Sequence, residues 1–270
     1  MSEQTVAIIG AGKMGELVLA GLIRSGHPAD RVLATARRPD RAAELTERHG
    51  VTVVTNIEAA TRADVLAIGV KPLDAGKVLD EISSSVTPGK LIVSLCAGLP
   101  TSFFANRLPE GTPVIRVMTN TPAMVGHAMS AISPGDHATD EHVAIADDLF
   151  KPLGATVRVP EYQQDAVTAV SGSGPAYFYL VVEAMIEAGV LLGLPRQTAR
   201  ELAVQTAVGS ALMLRDSGGH PAELREAVTS PAGTTAAALR ELERNGLRTA
   251  FSDALSAAHS RAQQIAAQAK

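Results

Sequence analysis

The 270-residue chain has no tryptophan, only 3% aromatic residues, and a single cysteine, Cys96. One thiol excludes an intramolecular disulfide framework and suits a reducing compartment. Neither charge is in excess. From Glu161 onward there are 9 basic and 11 acidic residues, and before it 15 and 17, so each part carries −2. No basic face is implied, and nucleic acid loses its electrostatic footing as a partner. No uninterrupted apolar run approaches the ~18 residues of a membrane span. Met1-Ser2-Glu3-Gln4-Thr5 has no basic stretch leading into an apolar one, so no secretion signal is expected and the chain reads as cytoplasmic, with no membrane partner. His137 and His142 sit among acidic residues in what reads as an exposed loop, and no metal is expected. What remains is ordinary globular composition, 46% hydrophobic and 19% charged. The length fits two domains at roughly 150 residues each. The last third is rich in alanine, whose small side chains bury little area each; helices built from it gain from many neighbours, which points to an oligomer.

Before Pro160, short β-rich runs alternate with helical patterns. Thr5–Ile9, Arg31–Ala36, Val51–Val54, Val65–Val70, Leu91–Leu95 and Val114–Val117 read as strands, with Met129–Ile132 and Thr156–Val159 finishing the sheet. Helices are expected after the first strand (Met14, Leu17, Val18, Gly21 and Leu22 at helical spacing), over Pro39–His49 and over Asp140–Phe150. Such alternation predicts βαβ units and a parallel sheet. After Pro160 only helices are read: Asp165–Val170, Pro175–Leu192, Arg196–Leu214, Pro221–Val228, Thr234–Arg244 and Arg248–Ala269. In the last, Phe251, Leu255, Ala258, Ala262 and Ile265 form a heptad packing seam. The expected organisation is an α/β dinucleotide-binding domain of Rossmann type over residues 1–160, followed by an all-helical domain over 161–270.

Gly10-Ala11-Gly12-Lys13-Met14-Gly15 is a G-x-G-x-x-G between a strand and an amphipathic helix. Its glycines serve a tight turn, backbone approach to a pyrophosphate, and close helix–strand packing, and the helix N-terminus offers unpaired N–H groups to phosphate. An NAD site usually has an acid about 20 residues on. Here Thr35-Ala36-Arg37-Arg38 supplies two guanidinium groups, which match a 2′-phosphate. NADP(H) is the preferred cofactor and NAD(H) the alternative; two solvated surface arginines are the plainer reading. Gly69-Val70-Lys71-Pro72 and Leu95-Cys96-Ala97-Gly98 end strands on the ligand-binding edge of the sheet. Cys96 reads as a small buried hydrophobe, not a nucleophile.

In the helical part, Ser171-Gly172-Ser173-Gly174-Pro175-Ala176 and Thr229-Ser230-Pro231-Ala232-Gly233-Thr234-Thr235 each read as a hydroxyl-rich loop before a helix. Such loops hold a carboxylate, or merely cap the helix. Beyond Lys151 the only lysine is Lys270, and His220 and His259 read as turn and packing residues. No acid–base constellation for alcohol oxidation is visible, which points to an electrophile that carries its own proton, such as a protonated imine.

With these motifs in order along nearly the whole chain, and with Arg116-Val117-Met118-Thr119-Asn120-Thr121-Pro122 and Asp165 to Tyr177 among them, the sequence resembles the pyrroline-5-carboxylate reductase family. Val228 to Thr235 and Leu239 also match. Thr119 stands where the family usually has Pro, and Ala232 where it usually has Gly. The resemblance implies reduction of L-1-pyrroline-5-carboxylate to L-proline with NAD(P)H, an interlocked homodimer, and in larger form a decamer of five dimers. It implies cofactor contacts from Asn56, Val70, Lys71, Pro72 and Ala97. It also implies that Glu161, Thr168, Ser230, Gly233, Thr234 and Thr235 surround substrate, with the Thr235 hydroxyl near the ring nitrogen. The rival readings are a β-hydroxyacid dehydrogenase, which needs a lysine absent from the helical part, and a silent NADP-sensing protein.

Overall fold

The computed structural model describes residues 3–268; Met1 and Ser2 of the N-terminal segment, and Ala269 and Lys270 beyond the last helix, lie outside the described residues. Two compact units are present: one up to Ser173 together with the residues from Ala258 on, the other Gly174–Ala257.

In the first unit, β1 (Val6–Ile9) leads to α1 (Lys13–Arg24), β2 (Val32–Ala34), α2 (Pro39–His49), β3 (Thr52–Val53), α3 (Asn56–Arg62), β4 (Val65–Ile68) and α4 (Pro72–Ile82). Then come β5 (Leu91–Ser94), α5 (Thr101–Ala105), β6 (Val114–Met118), β7 (Ala128–Pro134), α6 (Asp140–Phe150), β8 (Gly154–Arg158) and α7 (Gln164–Val167). The eight strands form one sheet in the order β3-β2-β1-β4-β5-β6-β7-β8. Both faces of β1 are covered, so all four of its residues are buried. Val6 and Ile8 join a core with Val18, Leu19 and Leu22 of α1 and Leu149 and Phe150 of α6. Ala7 and Ile9 point the other way, into a core with Ala59 of α3, Leu79 of α4 and Phe104 of α5. This is why the first strands read as unbroken apolar runs instead of alternating ones.

The alternation of elements predicts a parallel sheet, but one pair departs from it. β6 and β7 pair antiparallel, with Val117 opposite Ile132. Residues 119–127 between them hold only a tight 3₁₀ turn, Thr121–Val125. A parallel return needs a crossover of a dozen or more residues.

The division into units falls thirteen residues after the expected boundary at residue 161. The segment that follows Pro160 is pinned to the sheet: the fully buried Gln164 donates through Nε2 to Ala131 O (3.1 Å) and Ser133 Oγ (2.7 Å). Asn120 Nδ2 donates to Ser171 O at 3.1 Å.

The second unit holds α8 (Gly174–Leu191), α9 (Arg196–Ser217), α10 (Pro221–Ala227), α11 (Thr234–Arg244) and the start of α12 (Leu247–Gln268). α8 and α9 approach closely, since a β-carbon at Gly189 would lie 3.1 Å from that of Ala199. Little else covers them. Phe178, Leu180, Val181 and Met185 of α8, and Val204, Val208 and Leu212 of α9, are exposed.

Candidate active site

At the end of β1 the chain must turn sharply into α1, and Gly10 takes φ +80°, where a side chain would also strike Val70. Gly15 is required for packing: a β-carbon there would lie 2.9 Å from both Gly10 O and Ile8 Cγ2. Gly12 differs. Its φ of −73° suits any residue, and a β-carbon would meet nothing within 4 Å. No protein atom demands glycine at that position; the space in front of it is open. α1 begins there with no side-chain cap, so its first N–H groups stay unpaired. Thr35, at the end of β2, pins the turn: Gly10 N–H donates to its Oγ1 and Ala11 N–H to its carbonyl, each at 3.0 Å.

The turn opens on a cleft of about 970 Å³ at the point where strand order reverses between β1 and β4. This is where open α/β sheets bind ligands. Of the residues expected to contact cofactor, Gly10, Ala11, Gly12, Lys13, Ala36, Arg37, Arg38, Asn56, Val70 and Lys71 line it. Met14, Gly15, Pro72 and Ala97 do not form its walls. Arg37 is 82% exposed and pairs with Asp74 at 3.3 Å; Arg38 pairs loosely with Asp40 at 3.4 Å. Asn56 Nδ2 donates to Glu81 Oε2 at 2.9 Å.

Sequence reasoning passes over Thr35 and an ion-pair network in the same wall. Arg41 Nη1 donates to Glu44 Oε2 (2.7 Å), Arg41 Nη2 to Glu16, and Arg48 Nη1 to Glu16 Oε1 (2.8 Å). His49 Nε2 lies 3.0 Å from the same Glu16 oxygen. Burial alone raises the Glu16 pKa, but hydrogen bonds from Arg41, His49 and Arg48 outweigh it and hold the carboxyl at about 2. Arg41, Glu44 and Arg48 recur at i, i+3 and i+7 on α2, a spacing that signals a common face but not what the face meets.

Cys96 is buried, its thiol facing the Ile68 and Val70 carbonyls, and burial pushes its pKa up to about 12. It is an inert packing residue. Among the described residues no three His, Cys, Asp or Glu side chains gather as a metal site.

Of the residues expected around substrate, Glu161 and Thr168 are occupied within the first unit. Glu161 accepts from Thr101 N–H and Thr101 Oγ1, both at 2.7 Å, and faces the buried Arg116 at 3.7 Å. Thr168 Oγ1 donates to Gln164 O at 2.9 Å. The stretch from Ser171 is not the loop the glycines and serines predict. Thr168–Gly172 is a π-helical turn, in which Ser173 N–H donates to Thr168 O at 2.9 Å. That N–H is therefore spent inside the turn.

The second turn has an open helix end. Gly233 N–H donates to Ser230 O at 3.0 Å, and α11 starts without a side-chain cap. The first N–H bonded back is that of Ala237, leaving those of Thr234, Thr235 and Ala236 open. Thr229 spends its hydroxyl on Arg225 O at 2.6 Å. Ala232 holds the turn at φ +58°, the one non-glycine residue with positive φ among those described. His220 caps α10, accepting from Ala222 N–H at 3.2 Å, in keeping with its reading as a turn residue.

Residues 161–265 match the family model described as pyrroline-5-carboxylate reductase dimerisation, and residues 5–98 that described as NADP oxidoreductase coenzyme F420-dependent. A pyrroline-5-carboxylate reductase of Mycobacterium tuberculosis is 42% identical over 96% of each chain, and one of Corynebacterium melassecola 43% identical over 97% of this chain and 98% of its own. Among solved structures, that of the Coxiella burnetii pyrroline-5-carboxylate reductase superposes with a TM-score of 0.92 at 33% identity, covering 97% of this chain and 98% of that one. The Plasmodium falciparum pyrroline carboxylate reductase with NADP bound gives 0.88 at 28% identity, covering 98% and 99%.

Proposed function

The chain belongs to the pyrroline-5-carboxylate reductase family, and on that premise we propose how its own residues carry the family's reaction. It is an NAD(P)H-dependent oxidoreductase that reduces L-1-pyrroline-5-carboxylate to L-proline in the last step of proline biosynthesis. When bound, the dinucleotide supplies the hydride. The observation that carries the reading of its seat is Gly12, where glycine is dispensable to the protein and leaves the room a pyrophosphate needs. Asn56, Val70 and Lys71 flank it from α3 and the end of β4. NADPH is the preferred donor because Arg37, unconfined by its single loose partner, is free to pair with a 2′-phosphate. NADH lacks that phosphate. Arg37→Ala should raise the KM for NADPH much more than for NADH; equal effects defeat the assignment.

Ser230, Thr234 and Thr235 hold the substrate carboxylate at the open first turn of α11, with Gly233 shaping the turn, each charge-assisted hydrogen bond contributing about 1.5–3 kcal/mol. The Thr235 hydroxyl orients the ring nitrogen. No general acid is needed, since the imine enters protonated, and orientation at the reacting carbon lowers the barrier by roughly 7–11 kcal/mol. Pyrroline-5-carboxylate added to enzyme and NADPH should consume the reduced cofactor; no consumption would sink the reading.

The chain self-associates. Glu161–Leu191 has the length and apolarity of a membrane span, yet it carries Glu183 and Glu187 and falls in the dimerisation match. A second chain is the fitting cover for α8 and α9, interlocked as a homodimer and assembled as a decamer of five dimers in a reducing cytoplasm.

A further inference from the structure

Arg41 is the most enclosed cation in the wall of the dinucleotide cleft, its side chain 19% exposed against 82% for Arg37. It is also fully engaged. Nε and Nη2 both donate to Ala11 O at 3.3 Å, Nη2 reaches Glu16 on α1, and Nη1 reaches Glu44 on its own helix at 2.7 Å. Flanked by two carboxylates, its charge is spent within the protein. A free arginine beside a phosphate site behaves otherwise: it is held loosely until the anion arrives.

The Ala11 carbonyl is the informative contact. It shares a rigid peptide plane with the Gly12 N–H, so fixing one fixes the other. Gly12, with no β-carbon and nothing within 4 Å of where one would lie, has no side-chain packing to hold it, and within the turn its N–H donates to Gly10 O at 2.7 Å. Thr35 fixes the turn at Gly10 and Ala11 N–H, upstream of that plane, and Arg41 is its anchor from the α2 side. Accepting from a guanidinium fork that is itself clamped to α1 and α2, the turn is held in shape before any ligand binds.

We propose that Arg41 is a positioning residue for the dinucleotide: by bracing Ala11 against Glu16 it pre-forms the glycine turn, and it serves NADH and NADPH alike without reading the 2′-phosphate. This rests on the cleft being the cofactor seat. Arg41→Met, which keeps length and removes every donor, should raise the KM for NADPH and for NADH by the same factor, roughly tenfold, with kcat at saturating cofactor unchanged. Arg41→Lys should recover part of the loss. Glu16→Gln, which leaves Arg41 in place and guards against a misfolded Arg41→Met, should raise both KM values by an equal, smaller factor. The double variant should lose less than the product of the two. A rise confined to NADPH would make Arg41 a phosphate ligand and overturn the proposal, as would unchanged KM values or a fall in kcat alone. Gly12→Val separates the two readings. If it abolishes binding of both cofactors, measured by the fluorescence of the reduced nicotinamide, while Arg41→Met is silent, the brace alone falls. If Gly12→Val binds like the parent, the cleft reading falls and takes the brace with it.

Discussion

Ala232 stands where the resembling family usually has glycine, and it bears a left-handed backbone that costs an L-residue with a β-carbon about 1–2 kcal/mol. Ala232→Gly should relieve that strain, partly offset by the greater freedom of glycine in the unfolded chain, for a net gain of up to about 1 kcal/mol. Thermal unfolding reads it directly; a lower Tm would mean that the methyl group makes a contact worth more than the strain. The other departure is already accommodated. Thr119 is buried and its Oγ1 accepts from Ser130 Oγ at 2.9 Å, so a hydroxyl pair occupies the place where proline is usual. At the site, Thr235→Ala should slow turnover without abolishing it, whereas His259→Ala should stay active; a folded, NADPH-binding but dead His259→Ala would refute catalysis by orientation of a protonated imine. Residues that chemistry singles out, such as the glycines, Arg37 and the threonines of α11, were legible from the chain alone. Thr35 and Arg41 were not, because each acts on a backbone atom brought near only by the sheet and the α1–α2 pairing.

Helix limits were readable wherever a local signal marks them. α2 opens on Pro39 and stops at Gly50 with φ +67°, and α6 opens on a Thr139 cap. The two elements misread lack such signals. The π turn at Thr168–Gly172 has the glycine and serine content of a loop, and only its i→i−5 hydrogen bonding distinguishes it. The antiparallel β6–β7 pair is set by connector length, which no periodicity within either strand records. Strand pairing also yields a strong test. Gly154 opens β8 at φ +149°, and a β-carbon there would run into the Ala128 backbone across the ladder. Backbone cannot yield as a side-chain tip can, so Gly154→Ala should destabilise by about 3 kcal/mol or more, visible in urea unfolding. A loss below about 1 kcal/mol would contradict the packing described.

Across the whole molecule, acid stability should fall in two stages. Burial lowers the His27 pKa from 6.5, so the fold keeps it neutral while the unfolded chain takes the proton first. Its contribution is present above about 6.5 and fades as pH drops through that value toward the folded pKa. Glu16, held at about 2 against an ordinary 4.5, contributes above 4.5 and loses that contribution between there and 2. His27→Gln should flatten the upper stage only, in thermal melts across the range; an unchanged profile would remove His27 from the account. The two units also differ in self-sufficiency. The central strands β1, β2, β4 and β5 are buried along their whole length, whereas α8 and α9 leave Phe178, Val181 and Met185 uncovered. Met185→Glu should therefore shift the sedimenting species toward the single chain. A practical corollary concerns the assay bench. If the self-associating chain completes its helical unit only with a partner, activity per milligram should depend on how far a stock has been diluted and how long it has stood, and rate constants from very dilute enzyme would describe a mixture of species.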